Sequence, residues 1–263
     1  MFVQLPVAAV AGLVLAATPE APIAPSYLSN ADAATDSVFA DGDVYDACVA
    51  LIAEDVEIGR AAAQRWALEG GGAKGQHCLA IADLAAGFPR LAATRLVTLG
   101  EREEIGGPDV RARIFAEAAL AYLDADASAE ARDAAARAAN LSPDQAELNI
   151  VAAKAHAADG AWQAAADAVT AAEEAGVVTA EAYVVRAKAR HALQTPRLAA
   201  EDVVAALQLD PRNIDALVLR GELAQSGVAI VLRSMRATDP ENPESESPEP
   251  ENQGSPNPEP PAE

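Results

Sequence analysis

The residue types that most often carry out catalysis or bind metals are few in this sequence and poorly placed to act together. His77, His156 and His191 have no second histidine four residues away, so no helix carries a two-histidine zinc motif. The glycine-rich segment 70–76, GGGAKGQ, lacks the spacing and the Ser or Thr of a phosphate-binding loop. We therefore predict no enzyme active site, no metal site and no cofactor. We interpret each histidine as a residue on a helix surface or in a groove.

The two cysteines are better placed to react with each other. Cys48 and Cys78 lie in apolar segments that favour helices, VYDACVALI and GQHCLAI. Two buried free thiols are a common arrangement, but thiols in an oxidising compartment tend to pair. Export of the chain would therefore favour a Cys48–Cys78 disulfide. It would close a loop of about 30 residues and stabilise the fold by roughly 3–4 kcal/mol.

The first residues of the chain bear on export. Residues 7–17, VAAVAGLVLAA, form an apolar run. The run is shorter than a membrane span, which needs about 20 residues, and it is typical of a secretory signal. No Lys or Arg precedes this run, so an uncleaved anchor and a misassigned start are the alternatives. We predict a signal peptide at 1–17, a flexible linker at 18–43 and a periplasmic or secreted protein. Membrane contact is expected only if the signal stays uncleaved.

Negative charge is concentrated towards the C-terminus of the chain. There are 40 acidic and 19 basic residues, a net charge of −21, and this argues against a nucleic-acid binder because phosphate contact needs a basic face. Residues 238–263 contain eight acidic residues, eight prolines and no basic residue. This composition predicts a disordered acidic tail. The tail is either simply solvated or a contact for a basic partner.

Between these ends the sequence favours helices that repeat. Alanine, the best intrinsic helix former, fills about a quarter of the chain, and only 4% of residues are aromatic. Pro143 and Pro211 are separated by two periods of about 34 residues each. The same period relates two sets of alanines: Ala119, Ala153 and Ala187, and Ala131, Ala165 and Ala199.

Small residues at equivalent positions let two helices approach to about 8–10 Å. We expect the alanines, and Gly221 at the next equivalent position, to lie where helices pack. Ser142, Thr195 and Asp210 each stand just before a proline and are predicted to cap helix N-termini.

Residues 113–143 and 182–211 resemble the tetratricopeptide repeat (TPR) family, whose unit is a helix–turn–helix of about 34 residues. The units are these: 74–100, 112–143, 146–177, 180–211 and 214–237. A further helix pair precedes them. The resemblance implies an all-α fold over 44–237, a right-handed superhelical solenoid of stacked helix pairs. It also implies a scaffold or adaptor without catalysis that binds a peptide or partner protein in a concave groove.

The resemblance places the groove on the first helix of each unit. The groove residues are Arg113, Leu120, Ile150, Lys154, Val184, Lys188, His191 and Val218. In the sharper hypothesis Lys154 and Lys188, helped by Arg113, hold carboxylates of the partner, and the apolar members receive its side chains. Alternatively the lysines are ordinary solvated residues, and Glu147, Glu181 and Asp215 nearby dilute any positive potential.

Two other functions stay open at this point. The chain could be a non-catalytic subunit of an envelope enzyme complex. It could also bind a basic partner through the acidic tail, with the solenoid as a spacer.

Overall fold

The computed structural model describes residues 43–228 and residue 230, and the statements below concern these residues. They form eleven α-helices and no strand, with a 3₁₀ turn at Glu103–Ile105. The helices are α1 (Asp43–Glu54), α2 (Val56–Leu68), α3 (Gly72–Ala85), α4 (Pro89–Gly100), α5 (Pro108–Asp124), α6 (Ser128–Leu141), α7 (Glu147–Ala158), α8 (Trp162–Glu174), α9 (Ala180–Ala192), α10 (Pro196–Leu209) and α11 (Ile214–Gln225). The predicted signal peptide and acidic tail, and nearly all of the predicted linker, lie outside the described residues.

The helices stack in chain order. Each packs on the next, and the most extensive packing is between α5 and α6 and between α9 and α10, the helices within one unit. Burial follows the repeat, because the alanines that recur once per repeat are fully buried: Ala119, Ala131, Ala153, Ala165, Ala187 and Ala199. Their small side chains let neighbouring helices approach closely. The predicted all-α solenoid of helix pairs is confirmed.

The end of the stack differs from the prediction for Gly221. This residue is exposed, and a Cβ atom built on it would have no described neighbour within 4 Å. The closing segment at 228–237 that was expected to pack here lies mostly outside the described residues. Ile214 and Val218, on the same helix, are 75% and 55% exposed. α11 is therefore the open edge of the described solenoid.

The helix caps also differ from those predicted. Thr179 and Asn213 cap α9 and α11, because their side-chain oxygens accept the backbone N–H three residues on at 3.1 and 3.0 Å. The prediction that Ser142 and Asp210 start helices is wrong: each follows the last residue of a helix, and the next proline lies in a turn. Proline at this spacing suits a turn as well as a first helical position. Thr195 does precede α10, but its hydroxyl donates to a carbonyl of α9.

Candidate functional site

The first helices of the units share one face of the solenoid. α5 packs on α7, α7 on α9, and α9 on α11, in addition to the packing of each helix on its neighbours along the chain. Because the first helices also contact each other, they lie on the inner side of the stack. We call the face shared by α5, α7, α9 and α11 the concave face.

The apolar residues predicted for this face divide into two kinds. Ile150 and Val184 are only 8% and 3% exposed and belong to the core between neighbouring helices. They leave almost no surface to receive a partner's side chain, which corrects the role that the sequence suggested for them. Leu120 is half-buried and Val218 is exposed, so these two offer the accessible apolar surface.

The two predicted lysines are both engaged within the chain. The Lys154 ammonium lies 2.6 Å from a carboxylate oxygen of Glu181, and the Lys188 ammonium lies 3.3 Å from one of Asp215. Each bond joins one first helix to the next, and both partners recur one repeat length further along the chain. We call each of these lysine–carboxylate pairs a rung. A carboxylate of a partner would have to compete with Glu181 and Asp215 for these lysines.

The position of a third rung, between α5 and α7, is filled differently. Glu147 stands one repeat length before Glu181, but Leu120 stands one repeat length before Lys154, where a lysine would be needed. Within the described residues the exposed Glu147 side chain makes no ion pair or hydrogen bond. Asp124, one helical turn beyond Leu120, has its pKa raised by burial, which the nearby Lys154 only partly offsets.

The remaining predicted groove residues lie on α5 and α9. Arg113 is exposed on α5 at the position equivalent to Glu147, and it has interactions of its own. His191 is half-buried in the last turn of α9. The predicted residues are thus distributed along the row of first helices and are not gathered in one enclosed cavity.

The prediction that His77 is a surface or groove residue is wrong. The imidazole is 3% exposed, and it bridges three helices. Its Nδ1 lies 2.7 Å from the Tyr45 hydroxyl of α1, and its Nε2 lies 2.6 Å from a carboxylate oxygen of Glu117 on α5. With the proton on Nε2, the ring accepts from tyrosine and donates to glutamate. The long sequence separation of these partners explains why no local pattern revealed them.

The predicted Cys48–Cys78 disulfide is confirmed. It joins α1 to α3 beside the Tyr45–His77 hydrogen bond, and no free cysteine occurs within the described residues. The leading helix pair is thereby covalently attached to the first unit that resembles a TPR.

Sequence reasoning missed two buried ionic clusters. Asp202 of α10 is 2% exposed, and its carboxylate accepts hydrogen bonds from Arg186 and Arg190 of α9. Asp83 of α3 is fully buried and pairs with one arginine of α2 and one of α4. Arg186 and Arg190 are one turn apart on a helix, a signal that they share a face, but nothing local indicated where that face points.

Other kinds of site find little support in the described residues. They hold no group of three potential metal ligands, and none of their helices is both long and apolar enough to cross a membrane. Two shallow pockets of about 310 and 320 Å³ are lined mainly by residues of α4 and α6. None of the predicted site residues lines either pocket.

Solved structures of two proteins have a similar fold. The crystal structure of YrrB, described as a TPR protein with an unusual peptide-binding site, is 14% identical and matches 76% of this chain and all of that chain with a TM-score of 0.52. TTC0263, a thermophilic TPR protein of Thermus thermophilus, is 19% identical and matches 69% of this chain and 96% of that chain with a TM-score of 0.50. No protein-family model and no curated protein matches the chain. The similarity establishes the helical-repeat fold.

Proposed function

We propose that this protein is a non-catalytic scaffold that holds an extended segment of a partner protein against its concave face. The observation that carries the proposal is the row of four first helices, which forms one continuous and open surface. At about 8–10 Å per helix the row spans roughly 25–30 Å, the length of about eight or nine extended residues. An open surface of this kind suits a peptide better than a small metabolite, which needs a closed pocket.

Two further facts support the proposal. YrrB, whose fold is similar, is described as having a peptide-binding site. In addition, Leu120 and Val218 present accessible apolar surface at opposite ends of the row, and the rungs between them add charged groups. Apolar contacts supply affinity and placed polar groups supply register in most peptide sites.

We also propose that the protein acts outside the cytoplasm, in the periplasm or beyond it. Disulfides persist mainly in oxidising compartments, so the Cys48–Cys78 bond favours this location. The apolar run at 7–17, which favours a secretory signal, lies outside the described residues. The other two functions, a subunit of an envelope enzyme complex and a binder that acts through the acidic tail, are the alternatives.

Site-specific photocrosslinking in the native cell envelope tests the concave face without changing its charge. A photoreactive phenylalanine analogue is placed at Leu120 or Val218 and, as matched controls, at Leu91 or Leu198 of second helices, which are 40% and 43% exposed. We expect the same partner to crosslink from both concave positions and from neither control. Removal of residues 239–263 should leave these crosslinks unchanged.

The other outcomes decide among the alternatives. Crosslinks that appear only from Leu91 or Leu198 would place the partner on the outer surface and contradict the concave site. Loss of every crosslink on removal of residues 239–263 would favour binding through the acidic tail.

A further inference from the structure

Because each rung pairs a lysine with a carboxylate of the chain itself, the rungs determine which charged groups of the concave face can still pair with a partner. Lys154 and Lys188 occupy the lysine positions of the two rungs, and each already faces a carboxylate of the next first helix. The rung positions and their equivalents one repeat length away hold four carboxylates: Glu147, Glu181, Asp215 and Glu222. Even with Arg113 included, the basic groups at these positions number only three. The rung positions are therefore acidic by one charge, although their lysines attract attention in the sequence.

The excess of carboxylates is least compensated between α5 and α7, where a third rung is absent. Glu147 has the position of Glu181 and Asp215 but no ammonium partner within the described residues, because Leu120 replaces the lysine. The raised pKa of Asp124 means that its charged form is poorly stabilised in the free protein. A cation brought to this point would pair with Glu147 and would add to the partial compensation that Lys154 gives to Asp124.

We propose that the partner segment is basic and that one of its lysine or arginine side chains completes the third rung between α5 and α7. The aliphatic stem of that side chain lies on Leu120, and its charged head pairs with Glu147. Long basic side chains bind in this way because their stems are apolar and their heads are charged. The chain itself uses the same pairing twice, at Lys154 and at Lys188.

The inference rests on the proposed function, since it assumes a segment bound along the concave face, and it specifies the chemistry of that segment. Three residues of an extended chain span about 10 Å, and neighbouring first helices are about 8–10 Å apart. Every third residue of the segment therefore meets the next first helix. The segment should therefore carry its basic residue where it crosses from α5 to α7, where Glu147 stands at a rung position without a lysine.

Synthetic peptides of about nine residues provide the test with the full-length protein. One fluorescent peptide has arginine at every third position among alanine and leucine, and its counterpart has glutamate at those positions. Binding is measured by fluorescence anisotropy for the wild type, Glu147→Gln and Leu120→Lys. Leu120→Lys supplies the absent ammonium from within the chain and so occupies Glu147 while it keeps every carboxylate.

Matched controls separate this site from general attraction to an acidic protein. Glu57→Gln changes an exposed carboxylate in the first turn of α2, and Leu198→Lys adds an ammonium to an exposed position of α10. They change the net charge by the same amounts as the two concave variants. We expect Glu147→Gln and Leu120→Lys each to weaken the arginine peptide about tenfold, as for the loss of one charge-assisted hydrogen bond. The controls should change its affinity less than about twofold.

Three results would overturn the inference. These are tighter binding of the glutamate peptide than of the arginine peptide, equal weakening by concave and control variants, and no detectable binding of either peptide. A glutamate peptide that binds while the partner still crosslinks from Leu120 and Val218 would retain the proposed function and reject the basic segment. Loss of those crosslinks would reject the concave site itself, so the two failures are distinguishable.

Discussion

The two ends of the solenoid both bury an aspartate between two arginines, but the bonds connect different elements. Asp83 of α3 joins α2 to α4, so its cluster ties one helix pair to the next. Asp202 of α10 pairs with Arg186 and Arg190, both on α9, so its own bonds act within one pair, and Arg186 extends the cluster to Glu173 and Thr170 of α8. The buried aspartate at the N-terminal end thus joins two helix pairs, whereas the one at the C-terminal end joins the two helices of one pair.

The same contrast extends to the other bonds of the two ends. At the N-terminal end the Cys48–Cys78 disulfide and the Tyr45–His77–Glu117 hydrogen bonds link α1, α3 and α5. At the C-terminal end α11 is attached by packing and by one rung, and no described atom lies within 4 Å of a Cβ built on Gly221. The irregular first units are thus held by a disulfide and by hydrogen bonds between distant residues, whereas the regular later units combine the repeated packing of small residues with the rungs.

The largest expected effect comes from removing the buried aspartates one at a time. Asp202→Ala should lower the free energy of unfolding by about 3–5 kcal/mol, because it leaves the guanidinium of Arg186 buried with a single carboxylate partner. Asp83→Ala should cost clearly less, since the arginine side chains it frees, those of Arg60 and Arg95, are 31% and 33% exposed and can turn towards water.

Urea denaturation of the two aspartate variants makes the measurement. The control is Asp133→Ala, which removes a 73% exposed carboxylate and should change stability by less than about 0.5 kcal/mol. An equal or larger loss for Asp83→Ala would contradict the expectation that the more exposed arginines of its cluster are easier to leave unpaired.

Reduction of the disulfide should come next in size. Opening the Cys48–Cys78 bond removes a cross-link over a sequence separation of 30 residues and should cost about 3–4 kcal/mol in the chain-entropy estimate. We expect hydrogen exchange to accelerate first in α1 and α2, with α9–α10 little affected. Thiol titration before and after reduction serves as the control. Uniform acceleration across all helices would show that the whole stack unfolds as one unit and that the bond does not act locally.

Two glycine-to-alanine changes compare the packed end with the open end. A Cβ atom at Gly59 would lie 2.5 Å from the backbone of Ile52, so Gly59→Ala should separate α1 from α2 and cost about 1–3 kcal/mol. Gly221→Ala meets no described atom within 4 Å and should stabilise α11 by up to about 1 kcal/mol through helix propensity. Thermal melts of both variants provide the test. Destabilisation by Gly221→Ala would mean that another segment packs against this face.

The smallest expected effect is on the dependence of folding stability on pH. The hydrogen bond from Arg186, with a second from Tyr183, lowers the pKa of Glu173 below its ordinary value of 4.5. Its stabilising contribution is therefore complete above that value and is lost as the pH falls through the lower pKa of the folded state. Because the Glu173 side chain is 39% exposed, Glu173→Gln should reduce the acid dependence by only a few tenths of a kcal/mol. Denaturant titrations between about pH 3 and 7, with Glu174→Gln as control, should resolve a difference of this sign; an unchanged acid dependence would contradict it.

How far the sequence predicts the site depends on the kind of residue. Burial of Ala119, Ala153 and Ala187 follows from their recurrence once per repeat, since helices that pack at a fixed period need small residues there. The placement of Ile150 and Val184 was harder to foresee. A residue at a groove position becomes core when the next helix packs over it, and that depends on the distance between helices.

What the sequence determined by itself is the information carried by local pattern and composition: the all-α class, the length of the repeat, the row of first helices and the pairing of two cysteines. What only the tertiary structure decided is which polar groups meet. His77 hydrogen-bonds to partners 32 and 40 residues away, and Lys154 and Lys188 pair with carboxylates of the next first helix. The physical reason is that helix formation depends on neighbouring residues, whereas an ion pair depends on how two separate helices are oriented. Which charged groups of the concave face stay available to a partner follows from those orientations.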